Sequence, residues 1–251
     1  EAIASDYNLI VIFHTILLKG LKKITVDDYV QRTILKAIKH DIAIFAIHTA
    51  LDNHQNGVNA AIAERLQLQS TKILVPKKGT IKKLVTYVPK ENEKKVLEAL
   101  YEAGAGALGN YDQCSFVTEG FGSFRGNEKS NPSLGQQMEK TIVEEKQIQV
   151  IFLAHQEKQI LNSLRSAHPY ETVAYEIIST DNENPDIGMG KVGTLKNPMS
   201  GQEFLSFVKK QMQTPMIRHS RLNSKPIQKV AVLGGSWSFV ISEAKRSNAE
   251  P

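Results

Sequence analysis

The sequence predicts an α/β protein in two parts: an α/β core interrupted by a ferredoxin-like α+β inserted domain. Three observations carry this expectation. Two short apolar runs, 9–13 and 42–47, flank a helical pattern, which reads as a strand, helix, strand unit with parallel pairing. From residue 81 the strands mix polar and apolar side chains, and the segments to about residue 180 follow the order β-α-β-β-α-β, the ferredoxin-like split arrangement. Buried-strand and helix patterns resume near residue 193. The expected boundaries are 1–78 for the first part of the core, 79–182 for the insert and 183–251 for the second part.

The elements follow in order. Leu9 to Phe13 is a continuous apolar run ending at His14 and Thr15. Thr25 is placed to cap a helix with Asp27 and Asp28 in its first turn and Val26, Val30, Ile34, Ala37 and Ile38 on one face. Ile42 to Ile47 is too short and too uniformly apolar for an amphipathic helix, so it reads as a fully buried strand. The loop DNHQNG (52–57) then leads into a helix carrying Val58, Ile62 and Leu66, followed by a strand at 72–75. In the insert, strands are expected at 81–88, 114–117, 121–125, 144–153 and 173–178, with helices at 91–103 and 156–166. The segment DNENPDIGMG (181–190) reads as a polar connection. Strand-like 193–195, a helix at 200–211, a strand at 229–233 and a last helix through Ile241 and Ala244 complete the chain.

Candidate chemistry collects at strand ends. His48, Thr49 and Asp52 follow the second apolar run, and ligands of open α/β sheets bind at carboxyl edges. The set suits metal or acid/base chemistry, with His48 and Thr49 as the catalytic candidates, and equally a capping turn made by Asp52. His14 ends the first run, so parallel pairing brings it to the same edge. His54 is expected to face solvent. Gly234-Gly235-Ser236, before Trp237 and Ser238, either presents N–H groups to an anion or makes a tight strand-to-helix turn. His168, Tyr170 and Glu171 share one turn behind Pro169, which either ends a helix or forms a second site. Cys114 reads as a buried small hydrophobe.

Composition narrows the classes. The 251 residues, 41% apolar and 23% charged, are those of an ordinary globular protein. The net charge of +5 comes with dispersed lysine pairs such as Lys22-Lys23 and Lys82-Lys83, without interleaved aromatics, so solvated surface is expected and no nucleic-acid partner. One cysteine rules out an internal disulfide framework and a cysteine-rich zinc site, and fits a cytoplasmic protein. No stretch has the length of a membrane-spanning helix, so no membrane partner is expected.

Five segments in order, FHTILLKGLKKIT (13–25), AIHTALDNHQNGVNAAIAERL (46–66), GALGNYDQCSFVTEGFGSF (106–124), HPYETVAYEI (168–177) and KVAVLGGSWSF (229–239), resemble the GTP cyclohydrolase 1 type 2 family, also called Nif-three-like proteins, in its bacterial form. The resemblance implies a discontinuous Nif-three-like core around a dinuclear metal site, an insert similar to PII and CutA proteins, and a toroidal homohexamer. It implies a divalent ion, zinc, iron or manganese, and metal-dependent hydrolysis of a small phosphate- or nucleotide-like compound. Of the implied ligands, His14 and Asp52 are present. Phe13 and Thr15 stand where the family has a second histidine and a proline, Ala50 where asparagine is usual, and Trp237 where glycine is usual. The family's C-terminal histidine and glutamate and its first strand and helix have no counterpart, so the chain reads as a fragment with an incomplete metal site. The alternative is a regulatory or small-molecule-binding module acting through the insert.

Overall fold

In a computed structural model of the chain, residues 1–17, 19–235 and 240–249 are described. Backbone contacts divide it into two units, Glu1–Pro76 with Pro185–Pro251, and Lys77–Asn184.

In the first unit, strands β1 (Leu9–Ile12) and β2 (Ala43–Ala46) pair in parallel, Leu9 opposite Ala43 and Ile12 opposite Ala46. The helix between them, α1 (Tyr29–Lys39), starts later than expected. Its cap is Asp28, whose carboxylate accepts from Gln31 N–H at 2.8 Å, while the Thr25 hydroxyl bonds the Gln31 side chain instead. Val26 therefore lies outside the helix and is exposed. The expectation of a fully buried β2 also fails. Phe45 is 57% exposed and Val11 61%, because the two strands pair only with each other among the described residues.

What reads as a strand end and loop is a helix, α2 (His48–Asn53), leading through Gly57 into α3 (Val58–Arg65). A side chain at Gly57 would overlap the Leu51 carbonyl, so the turn between the two helices closes only around glycine. The second sheet has the order β3-β8-β9, formed by β3 (Gln69–Lys77), β8 (Asn184–Met199) and β9 (Ile227–Val232). The expected polar connection at 181–190 is largely the start of β8. Its glycines serve close approach rather than a loop, since a Cβ at Gly188 would run into the Val75 carbonyl and the Ile73 side chain. Helix α6 (Gly201–Met212) is fixed by a capping box between Ser200 and Glu203. Ala63, Leu66, Leu195, Val230 and Val232 form this unit's core, with Phe204, Phe207 and Val208 packed against it. Helix α7 (Val240–Arg246) follows.

The second unit runs β4 (Ile81–Pro89), α4 (Glu93–Glu102), β5 (Ser115–Arg125), β6 (Lys140–Leu153), α5 (Glu157–Ala167), β7 (Tyr175–Ser179). The two expected strands at 114–125 are one, and the sheet is antiparallel in the order β5-β6-β4-β7. Alternation assigns its faces. Leu84, Val88, Ile148, Val150 and Phe152 meet Val96 and Leu100 of α4 and Ile160 and Leu164 of α5 in one buried cluster. Each large side chain so buried contributes about 1.5–3 kcal/mol. The other face carries Tyr87, Thr118, Glu145 and Gln147. Gln147 links β5, β6 and β4 there, accepting from the Thr118 hydroxyl at 3.2 Å and donating to the Tyr87 hydroxyl at 3.3 Å. Cys114 is half-buried rather than buried, with its thiol 3.7 Å from the Asp112 carbonyl. No helix among the described residues is long and apolar enough to cross a membrane.

Candidate functional site

The parallel pair continues past its strands. Ile47 N–H donates to the Ile12 carbonyl and His48 N–H to the Phe13 carbonyl, each at 2.9 Å. This brings the segment after β1 beside the start of α2, and the His14 and His48 rings meet with centroids 5.7 Å apart, Phe13 packing against both. His48 has φ of 35°, an unusual value for a residue with a Cβ, which marks the sharp exit from β2. Asp52 stands one helical turn beyond His48. It is buried, 6% exposed, and its Oδ1 has no hydrogen-bond partner among the described residues. The Thr15 hydroxyl is likewise enclosed without a partner among them. Thr49 contributes its carbonyl to Asn53 Nδ2 at 2.7 Å. His54 is exposed and accepts from Asn56 N–H, outside this group.

Asn59 is a residue the sequence reading passed over. It is 2% exposed, its Nδ2 donates to the Asp52 carbonyl at 2.9 Å, and its Oδ1 accepts from Gly234 N–H at 2.8 Å. One amide thus ties the end of α2 to the glycine turn after β9. The signal was present: residues 59, 63 and 66 share the buried face of α3, and an asparagine among apolar positions needs partners. Ser236, Trp237 and Ser238 of the expected Gly-Gly-Ser turn lie outside the described residues. A Cβ at Gly234 would press on Val58, which fits a tight turn at that position.

A divalent ion suits a carboxylate and two imidazoles in kind, and the open Oδ1 of Asp52 is the atom such an ion would take. The three are not gathered as one ligand set. Among the described residues no three His, Cys, Asp or Glu side chains are grouped to hold one.

The second expected cluster, in the second unit, is also assembled. His168 is 7% exposed and accepts from Tyr170 N–H on Nδ1 at 3.1 Å, so Nε2 carries the proton and donates to the Tyr87 carbonyl at 2.8 Å. Burial holds its imidazole below the ordinary value, outweighing the Tyr87 carbonyl and Glu145, which favour the cation. The Tyr170 hydroxyl donates to Glu145 Oε1 at 2.8 Å, and burial together with that carboxylate pushes the phenol far above its usual range. Glu171 points elsewhere, accepting from Asn131 N–H at 3.0 Å. Beside Tyr170 lies a cavity of about 1000 Å³ bounded by β5, β6 and the 126–133 loop.

The chain is 41% identical over its whole length to a "GTP cyclohydrolase 1 type 2 homolog" of Bacillus subtilis, and 38% identical to one of Halalkalibacterium halodurans. It spans about two thirds of each, 67% and 68%. A crystal structure of a Bacillus cereus protein related to NIF3 superposes on 99% of the chain with a TM-score of 0.80 at 37% identity, and 66% of that protein is covered. A family model matches residues 1–250, and the chain belongs to that family, Duf34/NIF3 (NGG1p interacting factor 3).

Proposed function

We propose that the protein is a NIF3-type homologue of metal-dependent hydrolases acting on a small phosphate- or nucleotide-like compound, with a metal site that the described residues build only in part. The observation supporting this is the buried Asp52 carboxylate with Oδ1 unpaired, one helical turn from the His48 ring that meets His14. His14 and Asp52 are the proposed ligands to a zinc, iron or manganese ion. His48 is the proposed proton-transfer group, its ring meeting that of His14 where both strands end, and Thr49 is proposed beside it. With two protein ligands an ion keeps most of its water, so binding is weak. Zinc titrated calorimetrically into chelator-treated protein should bind at micromolar strength or weaker, and about tenfold or more weaker after Asp52→Ala or His14→Ala. Near-stoichiometric metal surviving dialysis, or affinity unmoved by both substitutions, overturns the part-built site.

We further read the second unit as a ferredoxin-like domain, because its β-α-β-β-α-β order and its β5-β6-β4-β7 sheet match that arrangement. Self-association into a homohexamer is proposed on the exposed Leu9, Val11 and Phe45, and light scattering tests it.

A second reading, a small-molecule-binding module acting through this domain, is favoured by the cavity beside Tyr170. A thermal-shift screen of metals and nucleotides separates the two. Metal-dependent stabilisation supports the hydrolase, and a ligand shift abolished by His168→Ala supports the module.

A further inference from the structure

We propose that the cavity in the second unit binds a small organic cation, an ammonium or guanidinium group seated on Glu145 among aromatic rings. This rests on the binding-module reading and assigns the ligand's chemistry. The argument starts at Glu145 on β6. Its Oε1 takes one hydrogen bond, from the Tyr170 hydroxyl, and no Lys, Arg or His among the described residues forms an ion pair with it. The adjacent Lys146 is engaged by Glu119 and Glu93. The one bond it accepts comes from a neutral group, so its charge is left for a ligand to meet.

The strand beside it is shaped to leave that carboxylate both room and access. A Cβ at Gly122 would overlap Glu145 Oε2, so only glycine lets the carboxylate lie there. Gly120, directly opposite Glu145 in the β5–β6 register, has nothing within 4 Å of where its Cβ would be. Across from the carboxylate there is thus open space instead of a side chain. Tyr87, Phe124 and Tyr170 line the same cavity, with the Phe124 and Tyr170 rings edge to face at 5.7 Å. Ring faces attract a cation, more strongly where water is excluded. Tyr170 is itself held by the His168 bond to its N–H, so the hydroxyl on Glu145 is pre-positioned. Arg125 and Lys129 also line the cavity, but both are exposed, whereas Glu145 and Tyr170 are half-buried. The cationic end of a ligand therefore belongs at the inner wall.

Calorimetry on the full chain with four probes tests this: tyramine, agmatine, and two ring analogues of tyramine lacking its charge, p-cresol and 4-hydroxyphenylacetate. Tyramine or agmatine should bind, with both uncharged or anionic analogues at least about tenfold weaker. Glu145→Gln should weaken the cation about tenfold or more, and Tyr170→Phe, which keeps the ring, by a smaller factor. Should p-cresol or 4-hydroxyphenylacetate bind as tightly as tyramine, the cation assignment is wrong while the binding module stands. If none of the four binds, both fall. Cation affinity unchanged in Glu145→Gln and in Gly122→Ala removes Glu145 from the site.

Discussion

The β1–β2 pair is written wholly in apolar residues and the β4 to β7 sheet in mixed ones, yet it is the mixed sheet that is the better buried. Leu84, Val88, Ile148 and Val150 are no more than 2% exposed, while Leu9, Val11 and Phe45 are all more than half exposed. The difference is architectural. Four strands offer one whole face to two helices, whereas among the described residues the β1–β2 pair has no third strand beside it. Apolar content measures how much a segment can bury, and the number of neighbouring elements decides how much it does. The candidate histidines follow the same division: His14 is exposed beside a half-buried His48, and His168 sits buried and fixed by two hydrogen bonds.

The sharpest test of this contrast is amide hydrogen exchange. Amides of β4 and β6 should exchange at least about a hundredfold more slowly than those of β1 and β2. Limited proteolysis should leave a fragment spanning roughly residues 81 to 180. Equal protection in both sheets would break the comparison. Next in size, Leu100→Ala should cost about 2–5 kcal/mol in chemical denaturation, whereas the exposed Val11→Ala should cost under about 0.5 kcal/mol. Asn59→Ala removes two hydrogen bonds and leaves the Asp52 carbonyl and Gly234 N–H without that partner, at about 1–3 kcal/mol, read from the midpoint of urea unfolding.

A pH effect should come from His168. Its folded value lies below the ordinary imidazole value near 6.5, so the unfolded chain binds the proton more readily. Its contribution is therefore complete above pH 6.5 and is lost as pH falls through the lower folded value. His168→Asn should flatten the stability profile on the acid side of pH 6.5, and an unchanged slope would show that other groups set it. The smallest effect is expected at the Lys94–Glu98 pair, 3.8 Å apart with both side chains exposed. There Lys94→Ala should change stability by less than about 0.5 kcal/mol.

Legibility in the sequence followed the range of the forces involved. The apolar runs and the helical faces rest on residues close in sequence, and their elements form within a few residues of the expected places. What was misread depended on distant partners. Gly188 and Gly190 look like loop residues until β3 lies against them, with the Leu74 side chain 3.3 Å from where a Cβ at Gly190 would sit. The stretch from His48 to Asn53 reads as a strand end and the start of a loop because its six residues are too few to show a helical period. At the candidate sites, the residue types at His14, His48, Asp52, His168 and Tyr170 were legible. The unpaired Oδ1, the Asn59 tie and the space over Glu145 were not, since each is made by segments far apart in the chain.

Gly57 has a consequence for mutational scans. Its backbone lies in an ordinary negative-φ region, so no local rule marks it as special, yet every other amino acid there collides with the Leu51 carbonyl. A saturation library would deplete all substitutions at position 57 as completely as at a catalytic residue, three positions from His54 and five from Asp52. Tolerance at His48 and Asp52 should depend on the selection applied, surviving a screen for abundance and failing one for activity, whereas Gly57 should fail both. Comparing the two screens position by position would separate the residues that shape this edge of the sheet from those that act on it.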